Sequence, residues 1–277
     1  MSSPQPRPFG RAGRDLKAAT TVGVSLLLLV IVTLFLKPVL FAGVAAIASY
    51  LAVRELLAVT VVGLSTRVKV CAQIAAPLVT WSAYWGGIDW LLGSFVAAVI
   101  VVMSVRLLDG QEAYTHHITR MTFALAYGSL FVGFAVLMAA SENGARLVLS
   151  FVLMTAASDL GAYIAGVMWG KHSMAPVISP KKTWEGFAGA ILLNALVGIV
   201  LFTTVLNGLW WQGVVASLVM TSMATVGDLI ESMIKRDIGV KDMSSLIPGH
   251  GGIMDRLDSL VINAFVAWLL FSYFVSM

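Results

Sequence analysis

The sequence predicts an all-α, polytopic integral membrane protein of about nine transmembrane helices with its N-terminus in the cytoplasm. Three observations predict it. Of the 277 residues, 59% are hydrophobic and 12% are charged, with a mean hydropathy of +0.91, whereas a soluble domain carries roughly 25% charged residues. The apolar residues fall into runs of about 20, the length a helix rising about 1.5 Å per residue needs to cross a hydrocarbon core of about 30 Å. Finally, Lys and Arg gather in alternate breaks between the runs, which is the positive-inside pattern of membrane helices.

The elements follow in order. Residues 1–18 hold Arg7, Arg11, Arg14 and Lys17 among Pro4, Pro6 and Pro8 and read as a disordered basic tail. A signal peptide is the competing reading, but the apolar run from Thr20 to Leu36 stops at Lys37-Pro38 without a small-residue cleavage site, and a second run follows at once. The expected spans are 19–37, 39–62, 70–87, 90–108, 121–140, 145–168, 186–206, 210–233 and 255–276. Tight breaks at Lys37-Pro38, Gly86 to Asp89, Ser141 to Gly144 and Asn207-Gly208 carry turn-forming residues. With the N-terminus inside, the longer charged segments 63–69, 109–120, 169–185 and 234–254 all face the cytoplasm, and only Lys37 and Arg146 of the 18 Lys and Arg lie elsewhere. Residues 19–277 therefore form one transmembrane domain.

Composition excludes disordered, collagen-like and disulfide-scaffold classes. A net charge of +4 does not point to nucleic acid, because the basic residues follow the topology and form no stripe on a soluble domain. The lone Cys71 permits neither an internal disulfide nor a cysteine-based zinc site. His116, His117 and His172 form no H-E-x-x-H pattern and read as exposed loop residues. Walker A, G-x-G-x-x-G and G-x-S-x-G motifs are absent, so covalent serine catalysis has no support.

Three acids sit where hydrophobicity cannot explain them: Asp159 in span six, and Asp228 and Glu231 in span eight. Each would cost about 2.5–3.5 kcal/mol at a helix centre in lipid, so a protein interior, a wet cavity or a metal should receive it. An interhelical hydrogen bond or ion pair would also satisfy Asp159. Asp228, Glu231, Ser232 and Lys235 stand at i, i+3, i+4 and i+7 and share one helix face. Arg236, Lys241 and Asp242 follow, then the turn Pro248-Gly249-His250-Gly251-Gly252, then Asp255, Arg256, Asp258 and Ser259 at the start of span nine. Asp228, Asp255 and Asp258 supply the hard oxygen ligands magnesium prefers. Lys235, Arg236 and Lys241 supply charge for phosphates, and a glycine-rich turn before a helix presents N–H groups to an anion. Together they describe phosphoryl or nucleotidyl transfer. A second basic segment, Ser179-Pro180-Lys181-Lys182-Thr183-Trp184-Glu185-Gly186, lies on the same expected side. There Lys181 and Lys182 either hold a phosphate or anchor the interface with Trp184.

These residues resemble a known family. The stretch from Ser232 through Lys235-Arg236 to Lys241-Asp242, continued by Pro248-Gly-His250-Gly-Gly and Asp255-Arg256-Leu-Asp258, is similar to the signature of the phosphatidate cytidylyltransferase (CDP-diacylglycerol synthase) family. Ser158-Asp159, Ala162-Tyr163, Gly166, Gly170-Lys171 and residues 179–186 add to the likeness, which covers about 158–259. The resemblance implies an integral enzyme of a bacterial-type cytoplasmic membrane that makes CDP-diacylglycerol and pyrophosphate from CTP and phosphatidate in phospholipid biosynthesis. Magnesium is implied, with a second cation as an option. It also implies that Asp228 and Asp255 are the principal metal carboxylates with Asp258 and Asp159 in support, and that Lys235, Arg236 and Lys241 hold phosphates beside Ser232. Lys181, Lys182, Asp242, His250, Gly251, Gly252 and Arg256 complete the expected substrate surface. Residues 145–277 would then be the catalytic half, and 19–140 would supply scaffold, a lipid groove or a homodimer contact, with Glu55 placed in that scaffold.

Two other readings compete. One is a CTP-dependent enzyme of the same kind acting on another lipid, such as an ether-lipid CDP synthase or a polyprenol kinase. The other is an ion-coupled transporter using Asp159 and Asp228, against which stands the placement of the charges at helix ends without a second copy.

Overall fold

The computed structural model describes residues 16–61, 63–240, 242–244 and 252–275, with backbone alone at 16–22 and 26. Its helices are α1 (Leu16–Leu36), α2 (Pro38–Thr60), α3 (Thr66–Leu107), α4 (Tyr114–Leu125), α5 (Phe131–Ala140), α6 (Gly144–Trp169), α7 (Trp184–Thr204), α8 (Trp210–Ile238) and α9 (Met254–Phe274). One π-helical turn, Ala126–Leu130, joins α4 to α5. A short antiparallel hairpin, β1 (Ser173–Ala175) and β2 (Ser179–Thr183), lies between α6 and α7. The sequence predicts a loop there, because three- and five-residue strands of mixed polarity carry no alternating pattern.

Among the described residues, seven helical segments are long and apolar enough to cross a membrane, against the nine expected. Part of the difference lies in α1, where the qualifying apolar stretch shortens to Gly23–Leu36. The rest lies in α3, whose 42 residues contain both the third and the fourth expected spans. A straight helix of that length would extend about 63 Å. Instead Gly87 takes φ 63° and ψ −153°, outside the helical region, and the chain turns back there. Ser82 and Ser94 consequently meet at 2.8 Å, and Arg67 before the turn reaches Asp109 beyond it at 3.4 Å. Only glycine adopts that backbone without strain, and the break falls inside the expected Gly86 to Asp89 turn.

Helices in lipid approach closely only where small residues let them. A Cβ added to Gly161 of α6 would lie 2.6 Å from the carbonyl oxygen of Gly189 in α7, so those helices pack backbone to backbone. Polar side chains then join buried faces: Asn194 Nδ2 donates to Thr221 Oγ1 at 2.9 Å between α7 and α8, and Asn263 Nδ2 donates to Thr155 Oγ1 at 3.3 Å between α9 and α6. Leu160, Ile164 and Val167 of α6 and Val226, Ile230 and Met233 of α8 face outward.

The charged breaks converge at one end of the bundle. Arg120 in the middle of α4 donates to the Thr60 carbonyl at the end of α2, Arg67 meets Asp109, and Lys182 reaches Asp228. Arg106 is buried, donating from Nε to His117 Nδ1 and from its other nitrogens to the carbonyls of Gly110 and Glu112. His117 is therefore a buried member of α4 and not the exposed loop residue expected, whereas His116 and His172 are exposed. An arginine eleven residues away can seek a ring nitrogen only after α3 and α4 have packed.

Candidate active site

Helix α8 delivers the principal charges. Its last turn carries Lys235 and Arg236 and ends at Gly239 in a left-handed conformation, with φ 75°, where the Val240 N–H returns to the Lys235 carbonyl. Cations at a helix C-terminus are favoured by its dipole. One turn earlier Glu231, only 2% exposed, places Oε2 2.9 Å from Lys235 Nζ. The Lys235 ammonium also contacts Asp255 Oδ1 from α9. The other oxygen of Asp255 accepts from Met243 N at 3.0 Å and from Gly252 N at 2.7 Å.

Asp228 lies further up the same face, 2.6 Å from Lys182 Nζ at the end of β2. Lys182 reaches it because Thr183 caps α7, accepting from Gly186 N at 3.1 Å, so the strand ends beside α8. Glu185 in the first turn of α7 braces the hairpin from its far side, accepting from the Lys171 and His172 amides at 3.2 Å and meeting His172 Nδ1 at 2.6 Å. Across the α8–α9 contact, a Cβ on Gly227 would lie 2.9 Å from the Asp258 carbonyl. Asp228, Asp258 and Asp159 are thus near enough to act on one another electrostatically. Asp258 Oδ1 accepts from Ser259 N at 2.8 Å, and Ser259 Oγ donates to Asp159 Oδ2 at 3.2 Å.

Two clefts open over these residues. The first, of about 200 Å³, is bounded by Asp159, Tyr163, Lys181, Lys182, Thr183 and Asp228 among others. The second, of about 230 Å³, is lined by Ser179, Lys181, Ser232, Lys235 and Arg236. Lys181 belongs to both. The first cleft has Tyr163 and Phe187 on its wall, beside the outward apolar face of α6, while the second is basic.

Most of the expected site residues are brought together: Asp159, Lys181, Lys182, Asp228, Ser232, Lys235 and Arg236 border the clefts, Asp255 contacts Lys235, and Asp258 is joined to Asp159 through Ser259. Arg256 is half-buried in the first turn of α9, and Asp242 is exposed just past α8. Lys241, His250 and Gly251 lie outside the described residues. Gly252 behaves differently from the expected anion-binding turn, because its N–H is taken by Asp255 and the next two N–H groups, of Ile253 and Met254, by Glu55. Glu231 belongs to the polar stripe, and its i, i+4 spacing from Lys235 is that of a helix-surface ion pair, but the stripe gives no sign that Lys235 also meets Asp255. Glu55 carried no signal, as its partners lie 189 to 199 positions away.

Among the described residues no group of three or more His, Cys, Asp or Glu side chains is arranged to hold a metal ion. The donor chemistry nonetheless fits a hard cation, which binds proteins through one or two carboxylates and completes its shell with water and phosphate. Asp228 and Asp255 each already have an ammonium against one oxygen, Lys182 and Lys235 respectively, so positive charge is accommodated at both.

Comparison with known proteins gives this arrangement its relatives. A cytidylyltransferase family model matches residues 17–274. A phosphatidate cytidylyltransferase of Mycobacterium leprae is 37% identical over 278 residues, covering 93% of this chain and 88% of that protein. One of Mycobacterium bovis is 34% identical over 273 residues, covering 94% and 89%. One of Staphylococcus haemolyticus is 31% identical over 243 residues, covering 84% and 92%. With a match over nearly the whole chain and carboxylates, lysines and paired clefts gathered at one end of a helical membrane bundle, the chain belongs to the cytidylyltransferase family.

Proposed function

We propose that this protein is a phosphatidate cytidylyltransferase, forming CDP-diacylglycerol and pyrophosphate from CTP and phosphatidate. The observation that carries the reading beyond family membership is the pair of clefts sharing Lys181, one bordered by outward apolar helix faces and the other basic. A lipid phosphate entering from the bilayer and a soluble triphosphate need such adjoining sites. A phosphate oxygen of phosphatidate attacks the α-phosphorus of CTP. The bond to the β-phosphate breaks, and pyrophosphate leaves with that electron pair. The nucleophile is already anionic, so catalysis is mainly alignment and charge neutralisation.

Lys235, Arg236 and Lys181 bind triphosphate oxygens in the basic cleft, while Lys182 and Asp228 face the lipid phosphate. Magnesium, held through Asp228 and Asp255 with Asp258 behind them, supplies further charge neutralisation when bound. Glu231 keeps Lys235 from swinging away, since a glutamate four residues before a lysine pairs along the helix. The site faces the cytoplasm, as the Lys/Arg distribution and the solubility of CTP both require.

Purified protein in detergent micelles, supplied with CTP and magnesium, should release pyrophosphate and form a CDP-lipid only when phosphatidate is added. Equal turnover with a polyprenol or an ether-lipid phosphate would favour the neighbouring lipid substrates, and ion flux without pyrophosphate release would favour a transporter. For sidedness, Ser173→Cys in a Cys71→Ala background should resist an impermeant thiol reagent applied to intact cells. Labelling from outside reverses the orientation.

A further inference from the structure

Glu55 lies five residues before the end of α2, in the half of the chain otherwise devoted to packing, and is only 5% exposed. Its carboxylate is surrounded by donors from the far end of the sequence. Oε1 accepts from Ser244 Oγ at 2.6 Å and from Ile253 N at 2.9 Å, and Oε2 accepts from Met254 N at 3.0 Å. A buried charge is tolerated when hydrogen bonds replace its lost water, and an anion is favoured where helix N–H groups start. Both conditions hold here, at the first turn of α9. The backbone passes directly over the carboxylate, because a Cβ on Gly252 would collide with it.

Asp255 grips the same segment a second time through Met243 N and Gly252 N. The two acids thereby clamp the connection between α8 and α9 on both sides, at 243–244 and at 252–254. Asp255 also contacts Lys235, which lines the basic cleft. A continuous set of contacts runs from Glu55 through the start of α9 to Asp255, Lys235 and the cleft.

We infer that Glu55 is a positioning residue for the transfer reaction, fixing from the scaffold helix α2 the first turn of α9 and hence the Asp255 carboxylate and the Lys235 ammonium. This role rests on the reaction proposed above. A glutamine at position 55 has the same shape and keeps an oxygen for two of the three donors, but it turns an amide N–H₂ toward one that has lost its acceptor. The bundle stays packed while the first turn of α9 loosens. Displacements of about 1 Å in a catalytic site can reduce rates by about 100-fold.

The test compares full-length wild type, Glu55→Gln, Asp255→Asn and the double variant in detergent, with two readouts. In amide hydrogen exchange, Glu55→Gln should speed exchange at 252–258 by tenfold or more and leave α6 and α7 unchanged. In kinetics, Glu55→Gln should lower kcat by about 10- to 100-fold and raise the KM for CTP, whose triphosphate Lys235 holds, while the KM for phosphatidate stays within about threefold. The double variant should be no worse than Asp255→Asn alone, because both substitutions break one set of contacts. Unchanged exchange at 252–258 overturns the anchor. Faster exchange with wild-type kcat, or losses that multiply in the double variant, overturns the positioning role. A wild type that makes no CDP-lipid strikes the reaction instead, and the positioning role falls with it, while the exchange readout still decides the anchor.

Discussion

The charged residues of the two halves do different work. In residues 16–140 they close loops: Arg106 holds the Gly110 and Glu112 carbonyls, Arg120 holds the Thr60 carbonyl, and Arg67 and Ser65 meet Asp109. A cation donating to backbone carbonyls is committed, because its partner has nowhere else to go. In residues 144–275 the charges meet one another beside open clefts: Lys182 with Asp228, and Lys235 with Glu231 and Asp255. Such pairs can exchange partners, a carboxylate for a cation and an ammonium for a phosphate. The same residue types thus serve as staples in one half and as a reactive surface in the other, and Glu55 is the staple that reaches across.

The comparison can be broken most severely at the carboxylates. Asp228→Asn and Asp255→Asn should each lower kcat on the order of 10³-fold while the protein stays folded, as expected for lost stabilisation of developing charge. Near wild-type turnover at saturating magnesium would mean that these acids are staples as well.

Lys235→Met tests whether a pair beside the cleft also supports the fold. It strands the Glu231 and Asp255 carboxylates, which are 2% and 6% exposed. Removing one partner of a buried pair costs about 3–5 kcal/mol, so thermal unfolding in detergent should shift down together with a loss of turnover. Full stability would show that water reaches these acids freely.

Gly87→Ala sharpens the comparison from the scaffold side. Positive φ with ψ near 180° is essentially confined to glycine and costs a residue with a Cβ about 1–3 kcal/mol, so the unfolding temperature should fall while both KM values and kcat remain close to wild type. A selective rise in one KM would place the α3 turn in substrate binding. The smallest effect is expected at Lys37→Ala, at the opposite end of α2 from Glu55. Surface changes of this kind stay within about 0.5 kcal/mol, and turnover should be unchanged; a marked loss of CTP use there would undo the assignment of the two ends.

Much of this was legible from composition and spacing, because the bilayer imposes length and polarity rules that act on contiguous residues. The apolar runs announced the helices, Gly86 to Asp89 announced the turn within α3, and the i, i+3, i+4, i+7 stripe of Asp228, Glu231, Ser232 and Lys235 announced one reactive face. Helix periodicity alone puts those four together, because residues at these spacings share one face within two turns. Tertiary structure alone decided which of them meet residues from elsewhere: that Lys182 reaches Asp228, that Lys235 chooses Asp255 as well as Glu231, that His117 is buried against Arg106, and that Glu55 and Asp255 take the N–H groups of 252–254 that a glycine-rich turn, judged by sequence, offers to a phosphate. The physical reason is that hydrophobicity and periodicity are properties of a segment, whereas a hydrogen bond between residues 55 and 254 exists only once α2 and α9 have packed side by side.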